Sequence, residues 1–286
     1  MLPPTRALSA GDTLRALVRR GDLHLPAVPG VITRLQALLR EDEAHADAHR
    51  IAAVITTEPA IAASTLRLAN SIAFGGLRPV LDLSEAVARI GSREVSNLAT
   101  TVALRGAFRS SVASRAQRLA RMSHEALVAA VFARAVPYGA CDPEEAYLAG
   151  LLHDIGRPLV LKLLDAVEGK RMEPLSDEAV DRLVDELHVE LGYSLLVSWH
   201  IPEPVCEVTR RHHDVVVSDE AALVLRVQAA DAFARLCVAS RGERRSNEPC
   251  PFKTAPAVQR LDLPDEVLEH VRVDVEDRVT LLRCFL

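Results

Sequence analysis

The run Leu151-Leu152-His153-Asp154-Ile155-Gly156-Arg157 places an imidazole and a carboxylate side by side at the end of an apolar segment, residues 149–155. Two strongly polar groups in such surroundings cost free energy unless partners satisfy them. A metal ion is one such partner, because neutral imidazole and carboxylate are both metal ligands. Just upstream, Asp142-Pro143-Glu144-Glu145 combines a capping carboxylate, a proline at the first helical position and acids in the first turn, a strong helix start. It predicts one helix running from there and carrying His153 and Asp154. Neighbouring helical residues point about 100° apart. The pair can therefore share an ion only at a helix end or in a cleft between helices.

Working outward, helical periodicity recurs along the chain. Residues expected on the buried face fall three and four apart in Val31, Leu35, Leu38, Leu39 and again in Ile61, Thr65, Leu66, Ala69, Ile72. Pro59 suits the first turn of the second of these helices. Ser84 is read as the cap of a helix over 85–90 that Gly91 ends, and Ser92 opens the next, through Val95, Leu98 and Val102. No segment alternates with a period of two over strand length, so the expected fold class is all-α. Breaks at Arg109-Ser110-Ser111 and over 241–256 predict an N-terminal segment 1–22, a helical lobe 23–110, a second lobe 111–240, and a loop with a C-terminal helical piece over 241–286.

A net charge of −5 argues against a protein built to neutralise nucleic-acid phosphates. No apolar run approaches the roughly 20 residues needed to span a bilayer, and the first ten residues hold no signal core. The five cysteines (Cys141, Cys206, Cys237, Cys250, Cys284) are scattered and never form a Cys-x-x-Cys pair, which reads as reduced thiols. The expectation is a cytoplasmic protein without membrane or nucleic-acid partners. Scarce lysine beside abundant arginine reads as the genome bias of a bacterium.

The motifs then fall in a recognisable order: Leu25-Pro26-x-x-Pro29, Glu58-Pro59-Ala60, Leu66-Arg67-Leu68-Ala69-Asn70-Ser71, Ser84-x-Ala86 and Ile90-Gly91. They continue with Ser123-His124, the stretch from Ala149 to Gly156, His188-x-x-x-Gly192, Trp199-x-x-Pro202, His212-His213 and Ala230-Asp231. Over about 23–240 the chain resembles the HDOD proteins, bacterial signalling-output relatives of the HD phosphohydrolases. The resemblance implies a two-lobed helical body with an HD-like C-terminal lobe. It also implies a pocket for a divalent metal, iron or manganese.

In that pocket His124 would come from a long preceding helix and Asp231 from a helix over 221–238. Together with His153 and Asp154 they would hold one ion and leave positions for water, which a metal turns into a nucleophile near neutral pH. His188, His212 and His213 would complete a second ion. The same residues have a plainer use, as a hydrogen-bonded His–Asp network that ties helices together. His212-His213, after Arg210-Arg211, also suits a solvated helix end.

The chain departs from catalytic relatives. Arg157 stands where cyclic-dinucleotide phosphodiesterases carry lysine, and Asp214-Val215-Val216-Val217 follows His213 in place of Gly-Tyr-Pro. Two functions stay open: a regulatory signalling module that acts through a partner protein or a nucleotide second messenger, and a metal-dependent phosphohydrolase of nucleotides or cyclic dinucleotides. If the pocket is active, His153, Asp154 and Arg157 are its expected catalytic residues.

Other features read more plainly. Asn70-Ser71 marks a helix end, with a contact between lobes or to a partner as the alternative. Arg105, Arg109, Arg115, Arg118 and Arg121 make a basic run, either a solvated face or a seat for an anionic nucleotide or acidic partner. Trp199 reads as core, and Cys206 lacks an activating setting.

Overall fold

The fold is all-α. A computed structural model describes residues 9–41, 47–74, 78–169, 175–215, 221–240 and 251–283, and these contain no strand. The first elements are α1 (Ala10–Arg20), α2 (Gly30–Glu41), α3 (Ala48–Thr56), α4 (Pro59–Ala69), α5 (Leu83–Ile90) and α6 (Ser92–Ala107). They are followed by α7 (Ala113–Ala135), α8 (Pro143–Leu152), α9 (Gly156–Glu168), α10 (Asp177–Ser198), α11 (Glu203–Arg211) and α12 (Ala222–Ser240). A 3-10 turn at Pro251–Thr254 leads into α13 (Pro256–Gln259) and α14 (Asp265–Arg283). None of the described helices is long and apolar enough to cross a membrane.

Helices α2 to α6 pack on one another, and α7 forms the spine against which α8, α12 and α14 lie. Helix α10 lies between α9 and α11. One continuous apolar core joins all of these, from Leu14 and Ile51 to Phe132, Phe233 and Leu268. Helix α14 returns to α7 through Leu268, Val271, Val275, Val279 and Leu282, an i, i+3, i+4, i+7 stripe.

Caps explain most boundaries. The Asp142 carboxylate accepts from the Glu144 amide, with Pro143 at the first position. The start of α5 differs from expectation: Asp82, not Ser84, is the cap, because its carboxylate accepts from the Glu85 amide at 2.9 Å and the helix opens at Leu83. Gly91 does end α5, at φ +96°, a conformation open to glycine at little cost. The expected break over 241–256 lies partly outside the described residues. From Pro251 to Gln259 the chain is mostly helical rather than loop.

Asn70 ends α4 and does more than end it. Its side chain donates to the carbonyls of Leu66 and Val80 and accepts from the Val80 amide. It thereby clasps the chain that returns toward α5, a contact between residues ten positions apart. Of the basic run, Arg115 is only 3% exposed and pairs with Asp165 and Glu168 of α9. Arg118 pairs with Asp177 and Asp181, and Arg121 with Glu125. Trp199 is buried, and its indole donates to the Pro26 carbonyl at 2.8 Å, fastening the segment ahead of α2 to the end of α10. Cys206 is wholly buried, and burial pushes its thiol up, so it is no nucleophile.

Candidate metal centre

The helix that Asp142 starts stops at Leu152, short of the predicted length. His153 is its C-cap, and Asp154 lies in the turn before α9. Two glycines set this corner. A Cβ on Gly150 would lie 2.8 Å from the Ala129 carbonyl oxygen and from the Ala130 Cα, so α8 can press on α7 only without one. A Cβ on Gly156 would lie 1.8 Å from the His188 carbonyl oxygen and 2.9 Å from the Gly192 amide. The start of α9 therefore touches the backbone of α10 where His188 sits, and that contact carries Asp154 to the histidines.

Two groups of possible ligand atoms result, and Asp154 belongs to both. One is Asp154, His188, His212 and His213; the other is His153, Asp154 and Asp231. Asp154 Oδ1 lies 3.2 Å from His212 Nε2 and 3.6 Å from His188 Nε2. Its Oδ2 lies 3.7 Å from His153 Nε2, which is in turn 3.5 Å from Asp231 Oδ1. His188 Nε2 and His213 Nε2 are 2.9 Å apart.

Backbone carbonyls decide the tautomers. The Nδ1 atoms of His153, His188 and His212 lie 2.8, 2.9 and 2.8 Å from the carbonyl oxygens of Gly150, Val184 and Thr209. A carbonyl only accepts, so each Nδ1 carries the proton and each Nε2 presents a lone pair. Those lone pairs meet a carboxylate, which also only accepts. Among the described residues, His153 Nε2, His212 Nε2 and Asp154 Oδ1 are buried and make no hydrogen bond. Converging buried acceptors need a cation between them, a proton or a metal ion. Imidazoles held through Nδ1 by carbonyls, with a carboxylate among them, form a donor set that fits a divalent transition ion.

Without a metal ion, a proton on His153 serves as that cation. Burial opposes charge on Asp154, yet His153, His212 and Arg157 hold its carboxyl well below the usual range. Asp231 is likewise buried, but His153 and Arg235 bring it down to about 2. For His153, burial works against the imidazolium, and the Asp154 and Asp231 carboxylates outweigh it, raising its pKa. His213 goes the other way, down to about 4, through burial and the neighbouring His212 and His188.

Arg157 Nη1 lies 3.2 Å from Asp154 Oδ2. Arg235, which the motif reading passed over, donates from Nε to Asp231 Oδ1 at 2.8 Å. The available signal was its place four residues after Asp231, on the same helix face. His124 of α7 is in neither ligand group. Its neighbour Glu125 instead lines a cavity of about 50 Å³ with His153, Asp154, Arg157 and Asp231. One residue along a helix turns a side chain by about 100°, which residue types alone do not register. A wider groove of about 540 Å³ adjoins this cavity and shares Arg105, Phe108 and Ser123 with it. Arg67, Arg105 and Arg109 line the groove, and among the described residues no acidic side chain does.

Comparison with known proteins gives the same frame. A model of the HDOD domain matches residues 25–215. An uncharacterized protein of Treponema pallidum (strain Nichols) is 28% identical over 202 residues, 67% of this chain and 38% of the relative. The chain thus spans well under half of that relative's length. Among solved structures, a protein of Shewanella amazonensis SB2B with the provisional name metal-dependent phosphohydrolase superposes with a TM-score of 0.68 at 23% identity, covering 96% of each chain. An HDOD domain protein of Geobacter sulfurreducens, of unknown function, gives 0.64 at 22%, covering 96% of this chain and 97% of that one. A chain of Marinobacter aquaeolei VT8, provisionally named a signal transduction protein, gives 0.56 at 18%, covering 96% of this chain and 66% of that one. At these identities the likeness to solved structures is one of fold.

Proposed function

This chain belongs to the HDOD domain family, and from that premise we propose that it is a bacterial, cytoplasmic signalling output module built round a divalent-ion pocket, with slow or absent phosphodiesterase turnover. The observation that carries the reading is the convergence of Nε2 lone pairs on Asp154, each fixed by a carbonyl behind it. Asp154, His188, His212 and His213 would hold the ion, with His153 and Asp231 beside it. Iron or manganese suits these donors. A bound ion of this kind would supply Lewis acidity and lower the pKa of a coordinated water. The chain's own contribution is to hold its histidines in one tautomer and to join α8, α10 and α11 at a single point, which couples ion binding to shape.

The signalling reading draws on three features. The enclosed space beside His153 and Asp231 is about 50 Å³, room for a few water molecules. Guanidinium groups of Arg157 and Arg235 already stand on the two carboxylates. The groove with Arg67, Arg105 and Arg109 offers a seat for an anionic ligand, such as a nucleotide second messenger, outside the ligand cluster. In this reading residues 23–110 form the lobe that meets a signalling protein partner, and 111–240 form the HD-like lobe. The name of the Marinobacter aquaeolei chain is in keeping with such a role.

The second reading is a metal-dependent phosphohydrolase acting on a nucleotide or cyclic dinucleotide. What favours it is the retention of His153 and Asp231 beside the other donors, which an adaptor does not require. The Shewanella amazonensis protein's provisional name points the same way. The test is to load the protein with manganese or iron and offer cyclic dinucleotides, linear dinucleotides and nucleoside monophosphates. We expect fewer than one turnover per chain. Multiple turnovers that vanish in both His153→Ala and Asp154→Ala would replace the signalling reading with the hydrolase.

A further inference from the structure

Asp154 is a carboxylate with two faces. Its Oδ1 looks toward His188 and His212, and its Oδ2 toward His153 and the arginines. On the first face the donors are three imidazoles, counting His213, and no positive side chain pairs with Oδ1 among the described residues. On the second face a cation is already built in. Asp231 and Arg235 stand four residues apart on α12 and so share one side of it. Arg235 Nε lies 2.8 Å from Asp231 Oδ1, and its Nη2 lies 3.7 Å from Asp154 Oδ2. One guanidinium thus spans the edge between the two carboxylates. Arg157 adds a second positive group to Asp154 Oδ2 at 3.2 Å.

The carboxylate oxygens that face His153 Nε2, and so an ion bound by His153, Asp154 and Asp231, are the same two, Asp154 Oδ2 at 3.7 Å and Asp231 Oδ1 at 3.5 Å. Those oxygens' lone pairs already receive guanidinium N–H groups, and like charges a few ångströms apart repel; the two carboxylates are only 14% and 16% exposed, while Arg235 reaches them from the surface with its side chain 44% exposed. Arginine does not relieve this by losing a proton at any ordinary pH.

We propose that Arg235 is a resident cation: its guanidinium holds the Asp154–Asp231 edge, so that a donor cluster large enough for two divalent ions takes only one, on Asp154, His188, His212 and His213. This rests on the reading of the pocket as a metal site and sharpens it. A single ion still joins α8, α10 and α11. A guanidinium in the second position can bind an anion, but it cannot coordinate and acidify a water molecule as a metal does. That division matches a pocket that senses rather than hydrolyses. It also gives α12 a function in the site that Asp231 alone does not explain.

The experiment uses the full chain, stripped of metal with a chelator and equilibrated with excess manganese. Bound metal is counted by elemental analysis after removal of free ion, and paramagnetic resonance distinguishes an isolated manganese from a coupled pair. The wild-type chain is expected to hold one manganese with an uncoupled spectrum. Arg235→Gln, which keeps length and hydrogen bonding but removes the charge, is expected to hold two with a coupled spectrum. Arg235→Lys keeps a cation and is expected to stay at one. Asp231→Asn is also expected to stay at one, since that residue does not serve the bound ion. Two manganese ions in the wild-type chain overturn the proposal whatever the variants do. So does a single ion in a folded Arg235→Gln chain, or loss of the ion in Asp231→Asn. No manganese in the wild-type chain or in any variant overturns the metal reading itself, and is thereby distinguished from two ions in the wild type, which overturns only the role of Arg235.

Discussion

Asp154 is the residue on which both ligand groups depend. Losing a side chain that only orients a ligand costs roughly 10- to 100-fold in metal affinity. Asp154→Asn, which removes a shared ligand charge, is expected to weaken manganese binding by about 100-fold or more, measured by titration calorimetry on the stripped chain. Unchanged affinity would show that the ion does not use this carboxylate. His213 supplies a pH signature in the metal-free protein. Its pKa is lowered to about 4 by burial and by its histidine neighbours, against an unfolded value near 6.5. As pH falls from 6.5 to 4, the unfolded chain takes up a proton here that the folded chain refuses, so stability present above 6.5 is lost across that window. His188 shifts in the same direction, and His153 in the opposite one. His188 is in contact with His213, so a His213→Gln variant removes the shift of His213 together with its coupling to His188. The wild-type melting temperature is expected to drop more steeply than the variant's between pH 6.5 and 4; parallel curves would count against the shift. The candidate ligands were legible in the sequence as residue types at ordered positions. His124 was legible as a residue type, but whether it joins a ligand group depends on the rotation of α7 within its packing, and it is in neither group.

At the scale of elements, α9 and α10 meet through glycine. Gly156 and Gly192 let two helix backbones touch at the level of His188. In Gly156→Ala the new Cβ would sit 1.8 Å from the His188 carbonyl oxygen, so α9 must move off α10. Overpacking of this kind is expected to cost about 3 kcal/mol of stability, and the widened Asp154–His188 gap should weaken manganese binding as well. Gly30→Ala is the control. A Cβ there meets nothing within 4 Å, and its effect should stay within about 0.5 kcal/mol in urea unfolding. Equal effects of the two substitutions would refute the packing argument. Helix starts were largely legible because caps are local: Asp142-Pro143 opened α8 where expected, while at α5 the cap moved from Ser84 to Asp82, two residues earlier. The end of α8 was not legible. The polar pair His153-Asp154 follows Leu152 directly, and residue types alone do not say whether such a pair continues a helix or caps it.

For the whole molecule, the consequential long-range polar contact is the indole of Trp199 with the Pro26 carbonyl, between residues 173 positions apart. Trp199→Phe keeps an aromatic ring in the core and removes the donor. The expected loss is about 1 kcal/mol, read by circular dichroism in urea because the substitution removes the chain's single tryptophan. An unchanged midpoint would show that the contact adds nothing to the joining of the N-terminal segment to α10. Local patterns along the chain suffice for the all-α class, most helix starts and the set of polar residues from which a metal pocket can be made. These rest on interactions within a few residues: periodic burial, caps, and helix-breaking glycine. What only the tertiary structure decided is which of those residues converge. The split of Asp154 between two faces, the exclusion of His124 from the ligand groups and the guanidinium of Arg235 across two carboxylates depend on how five separate segments, from α7 to α12, rotate and approach one another. That geometry is set by close packing of side chains distant in the chain, which no local pattern encodes.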